Sequence, residues 1–280
     1  MINAKTTINC NGRLLNLAVP KIMGILNVTP DSFFDGGRFS ALDAAKAQVS
    51  LMLEQGAHII DIGGMSSRPG AEIIDSKEEL TRIRPVIEMI KKDFPEALIS
   101  VDTIHSETIR SLHPLGIDLV NDISAGAFDP KMFETVADLQ MPYILMHMAG
   151  QPTNMQNAPQ YEDVCLAVLD FFIAKVGQLR SLGCKDLIID PGFGFGKSIA
   201  HNYKLLKKMH IFSTLGLPIL TGISRKSMIY KLLDITAQEA LNGTSVLHLV
   251  ALQQGSRILR VHDVKPAAEV IRLWQQLEIQ

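Results

Sequence analysis

Cysteine is scarce and unpatterned in this chain. Cys10, Cys165 and Cys184 are odd in number and far apart, so they offer no C-x-x-C metal or redox pair and suit a reducing compartment. Long apolar runs are absent, since none approaches the ~20 residues that a membrane span needs. The opening segment MINAKTTINCNG lacks the apolar core of a signal peptide, which predicts a cytoplasmic location. There is no excess charge of one sign. Lys+Arg number 27 against 29 Asp+Glu, a formal net charge of −2. With no Lys/Arg block either, the chain carries no electrostatic footprint for a nucleic acid or an anionic membrane. The eight histidines contain no H-E-x-x-H pattern and build no protein-only zinc site. No linker, composition shift, low-complexity segment or short-period repeat divides the chain.

What is present is ordinary globular material. Of 280 residues, 47% are hydrophobic and 20% charged. A chain of this length can bury a sizeable core without disulfides or structural metals. Eight short apolar runs recur: KIMGIL (21–26), AHIIDIGG (57–64), ALISVD (97–102), IDLVND (117–122), PYILMH (142–147), DLIID (186–190), LPILTG (217–222) and RILRVHD (257–263). They are too short for helices, rich in Ile, Leu and Val, and unbroken rather than alternating, as strands buried on both faces are.

The stretches between them carry helix signals. Ser40 is the expected cap of ALDAAKAQVSLMLEQ, with Gly56 ending it. Ser76 and Glu79 have capping-box spacing ahead of LTRIRPVIEMIKK. Pro130, Pro159 and Pro266 lie near the starts of later helices. Eight strand–helix repeats in this length predict an α/β fold, a closed (β/α)8 barrel. Asn11-Gly12 between apolar flanks predicts a β-hairpin covering one end of it. The expectation is a single domain over 1–280, with the hairpin at about 6–19 and the barrel at about 20–280.

Polar residues gather where the runs end: Asn27, Asp61, Asp102, Asn121, His147, Asp190, Ser224 with Arg225 and Lys226, then Arg260 and His262. In such a barrel the strand C-termini open onto one face, and sites lie there. Taken singly, each residue could simply end a strand. Asp102, Asn121 and Asp190 could cap the following helix, and Arg260 or His262 could pair with Asp263. As a set, carboxylates, amides and cations converging on one rim point to a site. PGFGFGKS (191–198) resembles a phosphate loop but is one residue short of Walker A, and Lys197 takes the last position of G-x-G-x-x-G. It reads as a mobile Gly-rich loop.

Eight motifs in order carry a family likeness: GILNVTPDSFFDGG (24–37), DIGGMSSRPGAE (61–72), SVDT (100–103), NDISAG (121–126), LMHMAGQPTNMQ (145–156), DPGFGFGKS (190–198), GISRKSM (222–228) and RVHDV (260–264). Together they resemble the dihydropteroate synthase family of folate biosynthesis. The resemblance implies a TIM barrel, usually a homodimer. The implied reaction joins 6-hydroxymethyl-7,8-dihydropterin pyrophosphate to p-aminobenzoate, giving 7,8-dihydropteroate and pyrophosphate. Both substrates are small molecules, and Mg²⁺ is the implied cofactor.

Residue roles follow from the resemblance and make chemical sense. Asp190 would accept two N–H bonds from the amidine edge of the pterin, beside Asn121, which can donate and accept. Lys226 would donate to the ring carbonyl, Met146 would pack on the ring, and Asp102 would line the pocket near the exocyclic carbon. Asp102, Lys226 and Asp190 are the implied catalytic residues. Arg260, His262, Arg68 and Asn27 would hold the diphosphate, Arg because its fork matches phosphate oxygens. Asn27 is the implied metal ligand, since Mg²⁺ prefers oxygen and keeps several waters. Phe33, Ser67, Pro69, Phe195, Ser224 and Arg225 would form the p-aminobenzoate pocket, with loops 28–39 and 63–73 as lids.

The family pattern GGESTRPG reads GGMSSRPG here, so Met65 replaces a Glu and Ser67 a Thr. Three other readings stand beside the synthase. A methyltetrahydrofolate-binding methyltransferase barrel would need no diphosphate site. A non-catalytic pterin-binding module would not need one either, and a Schiff-base lyase would use Lys226 as its amine.

Overall fold

The computed structural model describes residues 5–29, 38–65, 73–150 and 160–279, with the side chains of 38–40 left aside. Phe33, Ser67, Arg68, Pro69, Pro159 and most of both expected lids lie outside the described residues.

The chain opens with the expected hairpin. Strand β1 (Thr7–Cys10) pairs antiparallel with β2 (Arg13–Asn16). Asn11 and Gly12 both adopt positive φ, 49° and 86°, as a two-residue type I′ turn requires. Eight further strands follow: β3 (Lys21–Asn27), β4 (Ile59–Gly63), β5 (Leu98–Asp102), β6 (Leu119–Asp122), β7 (Tyr143–Met146), β8 (Leu187–Asp190), β9 (Ile219–Thr221) and β10 (Ser256–Val261). They close into a barrel in chain order, β10 pairing with β3, and the pairings are parallel. Six of the eight expected runs contain their strand, and β3 and β10 each extend one residue beyond theirs, at Asn27 and at Ser256.

Helices alternate with these strands. They are α1 (Arg38–Glu54), α2 (Ser76–Asp93), α3 (Ser106–Leu112), α4 (Met132–Asp138), α5 (Val164–Ser181), α6 (Ile199–Lys207), α7 (Ser227–Tyr230), α8 (Leu241–Gln253) and α9 (Val264–Glu278). Two expected caps are corrected. Ser40 does not cap α1, because the helix already begins at Arg38; Gly56 does follow its end, at φ 101°. Ser76 and Glu79 form no capping box. Asp75 caps α2 by accepting from the Glu78 N–H. Glu79 instead turns into the core, where one carboxylate oxygen accepts from both the Thr103 and Thr108 hydroxyls at 2.6 Å. Two buried hydroxyls outcompete a helix-end amide for that carboxylate.

The hairpin seals one end. Ile8, Cys10, Leu15 and Leu17 pack on Met23, Ile59, Leu98, Leu119, Ile144, Ile188, Leu220 and Ile258. Each of these eight is among the first three residues of its strand. The sealed end is therefore the N-terminal end, and the C-terminal mouth is left for chemistry. No helix among the described residues is long and apolar enough to cross a membrane.

Leu17 is fully buried in this plug. Leu17→Ala should cost about 2–5 kcal/mol in a urea melt, through lost burial and a residual cavity. Leu14→Ala, at a side chain 73% exposed, should stay within about 0.5 kcal/mol. Equal effects would show that the hairpin is not part of the core.

Candidate active site

Parallel register brings the strand ends together at the mouth. Asn27 lies opposite Gly63, Gly63 opposite Asp102, Asp102 opposite Asn121, and Met146 opposite Asp190. Arg260, on β10, reaches across this ring. Its Nε donates to Asp61 Oδ2 and its Nη2 to Asp102 Oδ2, both at 2.6 Å. Asn121 Nδ2 donates to the same Asp61 oxygen at 3.0 Å. Asp61 is wholly buried, and its Oδ1 has no hydrogen-bond partner among the described residues.

These partners set the charges. Burial works against the Arg260 cation, but Asp61 and Asp102 outweigh it and hold the guanidinium above its ordinary range. Burial pushes the Asp102 carboxyl up to about 7, with Arg260 opposing and Asp61 reinforcing the rise. The expected alternative of an Arg260 pair with Asp263 is not what forms. Asp263 instead takes Arg225, whose Nε and Nη2 meet its two carboxylate oxygens at 2.7 and 2.9 Å. Arg225 also donates to the Ala237 and Gln238 carbonyls, so its guanidinium is committed to the 237–238 backbone and the Asp263 carboxylate.

A second group of side chains lies beside the first. Asp190 Oδ1 accepts from the Gly192 N–H at 2.8 Å, and burial raises its carboxyl against the pull of Lys226. Lys226 Nζ donates to the Phe193 carbonyl and lies 4.6 Å from the Phe195 ring centre. Burial lowers this ammonium to about 8, while Asp190 opposes the shift. Gly222 is the floor between them. A Cβ there would stand 3.9 Å from Asp190 Oδ2, from Lys226 Nζ and from Arg260 Cβ alike. One wall is apolar, where Ile104, Ile123, Met146 and Phe195 cluster. Ser224 Oγ meets the His262 N–H and Nδ1, each at 3.2 Å. Burial, and Arg260 after it, lowers His262 to about 4, so the ring is neutral near pH 7.

Expected residues Asp102, Asn121, Met146, Asp190, Phe195, Ser224, Lys226, Arg260 and His262 thus share the mouth, and half-buried Asn27 ends β3 on the same rim. No group of three or more His, Cys, Asp or Glu able to hold a metal exists among the described residues. Asn27 remains as a neutral oxygen donor. The sequence reading puts Asp61 on the rim without a role, and gives none to Lys197 of PGFGFGKS or to Gly222 of GISRKSM. A carboxylate inside the all-buried run IIDIG was the available signal for Asp61. For Gly222, which opens GISRKSM, no local pattern marks the convergence of Asp190, Lys226 and Arg260 on it.

A family model described as pterin binding enzyme matches residues 23–262. The dihydropteroate synthase of Haemophilus influenzae is 46% identical over 95% of this chain and 96% of its own length. The chain belongs to the dihydropteroate synthase family. A crystal structure of the Yersinia pestis synthase with a sulfonamide drug complex superposes with a TM-score of 0.92 at 40% identity, covering 98% of this chain and 100% of that one. The Xanthomonas albilineans synthase with 4-aminobenzoic acid gives a TM-score of 0.91 at 40% identity, covering 98% and 99%.

Within this family frame, the mouth offers an acceptor (Asp190), a donor–acceptor amide (Asn121), a cation (Lys226) and an apolar wall. That set suits a flat, nitrogen-rich ring. Asp61→Asn removes the like charge beside Asp102. The Asp102 midpoint, read by carboxyl ¹³C NMR, should then fall below about 7. A midpoint that stays or rises would mean that Asp61 does not set it.

Proposed function

We propose that this chain condenses 6-hydroxymethyl-7,8-dihydropterin pyrophosphate with p-aminobenzoate, releasing 7,8-dihydropteroate and pyrophosphate as an alkyl (pterinylmethyl) transferase. The observation that carries this reading is the convergence of Asp190 Oδ2, Lys226 Nζ and Arg260 around Gly222, with Asn121 tied in through Asp61. The Xanthomonas synthase that carries 4-aminobenzoic acid supports the second substrate.

In this reading Asp190 accepts from the pterin's amidine edge, Asn121 pairs beside it, and Lys226 donates to the ring carbonyl. Met146 and Phe195 exclude water from the ring face. Arg260 keeps Nη1 outside its pairs with Asp61 and Asp102, and that edge faces the diphosphate with neutral His262. The C–O bond loosens first, and the Asp102 charge favours positive character at the exocyclic carbon. The arylamine is already neutral at pH 7, so its nitrogen attacks without a strong base. Ser224 and the backbone at Arg225 receive the aminobenzoate carboxylate.

Asn27 would suit Mg²⁺, because an amide oxygen is a hard ligand, with the substrate's diphosphate and several retained waters as the other ligands. When bound, the ion would neutralise charge on the leaving group. The family resemblance also carries a homodimer into the proposal.

Pyrophosphate release should require p-aminobenzoate. Lys226→Ala and Asp190→Ala should each lose on the order of 100-fold or more in rate, while Cys165→Ala should match the parent. Release that ignores p-aminobenzoate would refute the transferase reading.

Pterin affinity should depend on pH through Lys226. Below about 8 the ammonium is protonated and donates. Above it the affinity should fall, by up to about tenfold per pH unit, as one donor proton is lost. Lys226→Met should flatten that limb in a calorimetric titration. A parent profile flat to about pH 10 would show that burial does not lower the Lys226 ammonium.

A further inference from the structure

The Gly-rich segment that fits no nucleotide loop ends in Lys197, which the proposed chemistry does not use. Lys197 is only 3% exposed. Its ammonium meets no carboxylate among the salt bridges of the described residues. Nζ instead lies 2.9 Å from His147 Nδ1 and donates to the carbonyls of His147 (3.3 Å), Gly192 (2.9 Å) and Phe195 (3.0 Å). Burying an ammonium on neutral acceptors is unfavourable relative to water, and burial lowers this one to about 7. Such a cost is expected where a position must be held in one geometry.

The same segment is pressed against the chain that leaves β7. Gly192 and Gly196 have φ of 69° and 63°, and a Cβ on either would lie 1.9 Å from the His147 carbonyl or 2.2 Å from the Ala149 carbonyl. Only glycine permits that approach. Lys197 then bonds across the seam, with acceptors on both sides of it.

What the seam holds is the mouth itself. The Gly192 N–H fixes Asp190, the Phe193 carbonyl fixes Lys226, and the Phe195 ring lies against the Lys226 ammonium. Met146 immediately precedes His147 on the other side. We propose that Lys197 is a positioning residue whose buried ammonium ties segment 191–197 to His147 and so holds Asp190, Phe195 and Lys226 in the arrangement that grips the pterin. The proposal rests on the pterin reading above.

Lys197→Met keeps the length of the side chain and removes the charge. The folded variant should bind the dihydropterin pyrophosphate roughly tenfold or more weakly by calorimetry. The stoichiometry should stay unchanged. A lysine that only stabilises the fold would lower the melting temperature and leave the affinity of the folded fraction alone. Affinity within about twofold of the parent in folded Lys197→Met overturns the proposal.

Hydrogen exchange on the unsubstituted chain needs no variant. The pterin should slow amide exchange at 147–149 and 192–197 together. Protection near Asp190 with none at 147–149 also overturns the proposal. A parent chain that binds no dihydropterin sinks the functional reading itself, and the proposal with it.

Discussion

The whole arrangement depends on the ladder between β10 and β3. Ile258 to Val261 pair in parallel with Lys21 to Gly24, joining the last strand of the barrel to the first. Only this closure lets Arg260 extend across the interior to Asp61 and Asp102, residues 199 and 158 positions earlier in the chain. The same closure leaves two ends, and the hairpin fills the N-terminal one with Ile8, Cys10, Leu15 and Leu17. Chemistry is confined to the mouth because the other end is packed solid.

That mouth is electrostatically expensive. Three carboxylates, Asp61, Asp102 and Asp190, and three cations, Arg260, Lys226 and Lys197, are desolvated within it. Well-packed apolar residues in their place would often give a fold at least as stable. What the charges provide is preorganisation, with donors and acceptors already aimed before substrate arrives. Burial also moves Asp102 up to about 7 and Lys226 down to about 8, bringing both near the pH at which a cell works. The stability spent at this end is offset at the other, where eight early-strand side chains close on the hairpin.

Much of this was legible beforehand. The unbroken runs marked buried parallel strands, because a strand covered on both faces has no polar side to alternate. Asn11-Gly12 marked the turn, because two successive positive φ values favour that pair. Polar residues at run ends marked the rim. The failures are equally physical. Glu79 matched a capping box by spacing, yet Thr103 and Thr108 compete for its carboxylate from α3 and the strand end before it, far along the chain. Asp263 is the carboxylate that sequence proximity offers Arg260 beside its expected diphosphate role, but that carboxylate belongs to Arg225.

Periodicity, turn chemistry and motif order, all local properties, sufficed to determine the barrel, the hairpin and the membership of the rim. Partnership was decided only by the tertiary structure. Which carboxylate holds Arg260, which carbonyls hold Lys197, and why position 222 is glycine all depend on distances between segments remote in sequence. Hydrogen bonds act over about 3 Å. A linear pattern places a side chain on a strand end but does not say which other strand end stands within that reach.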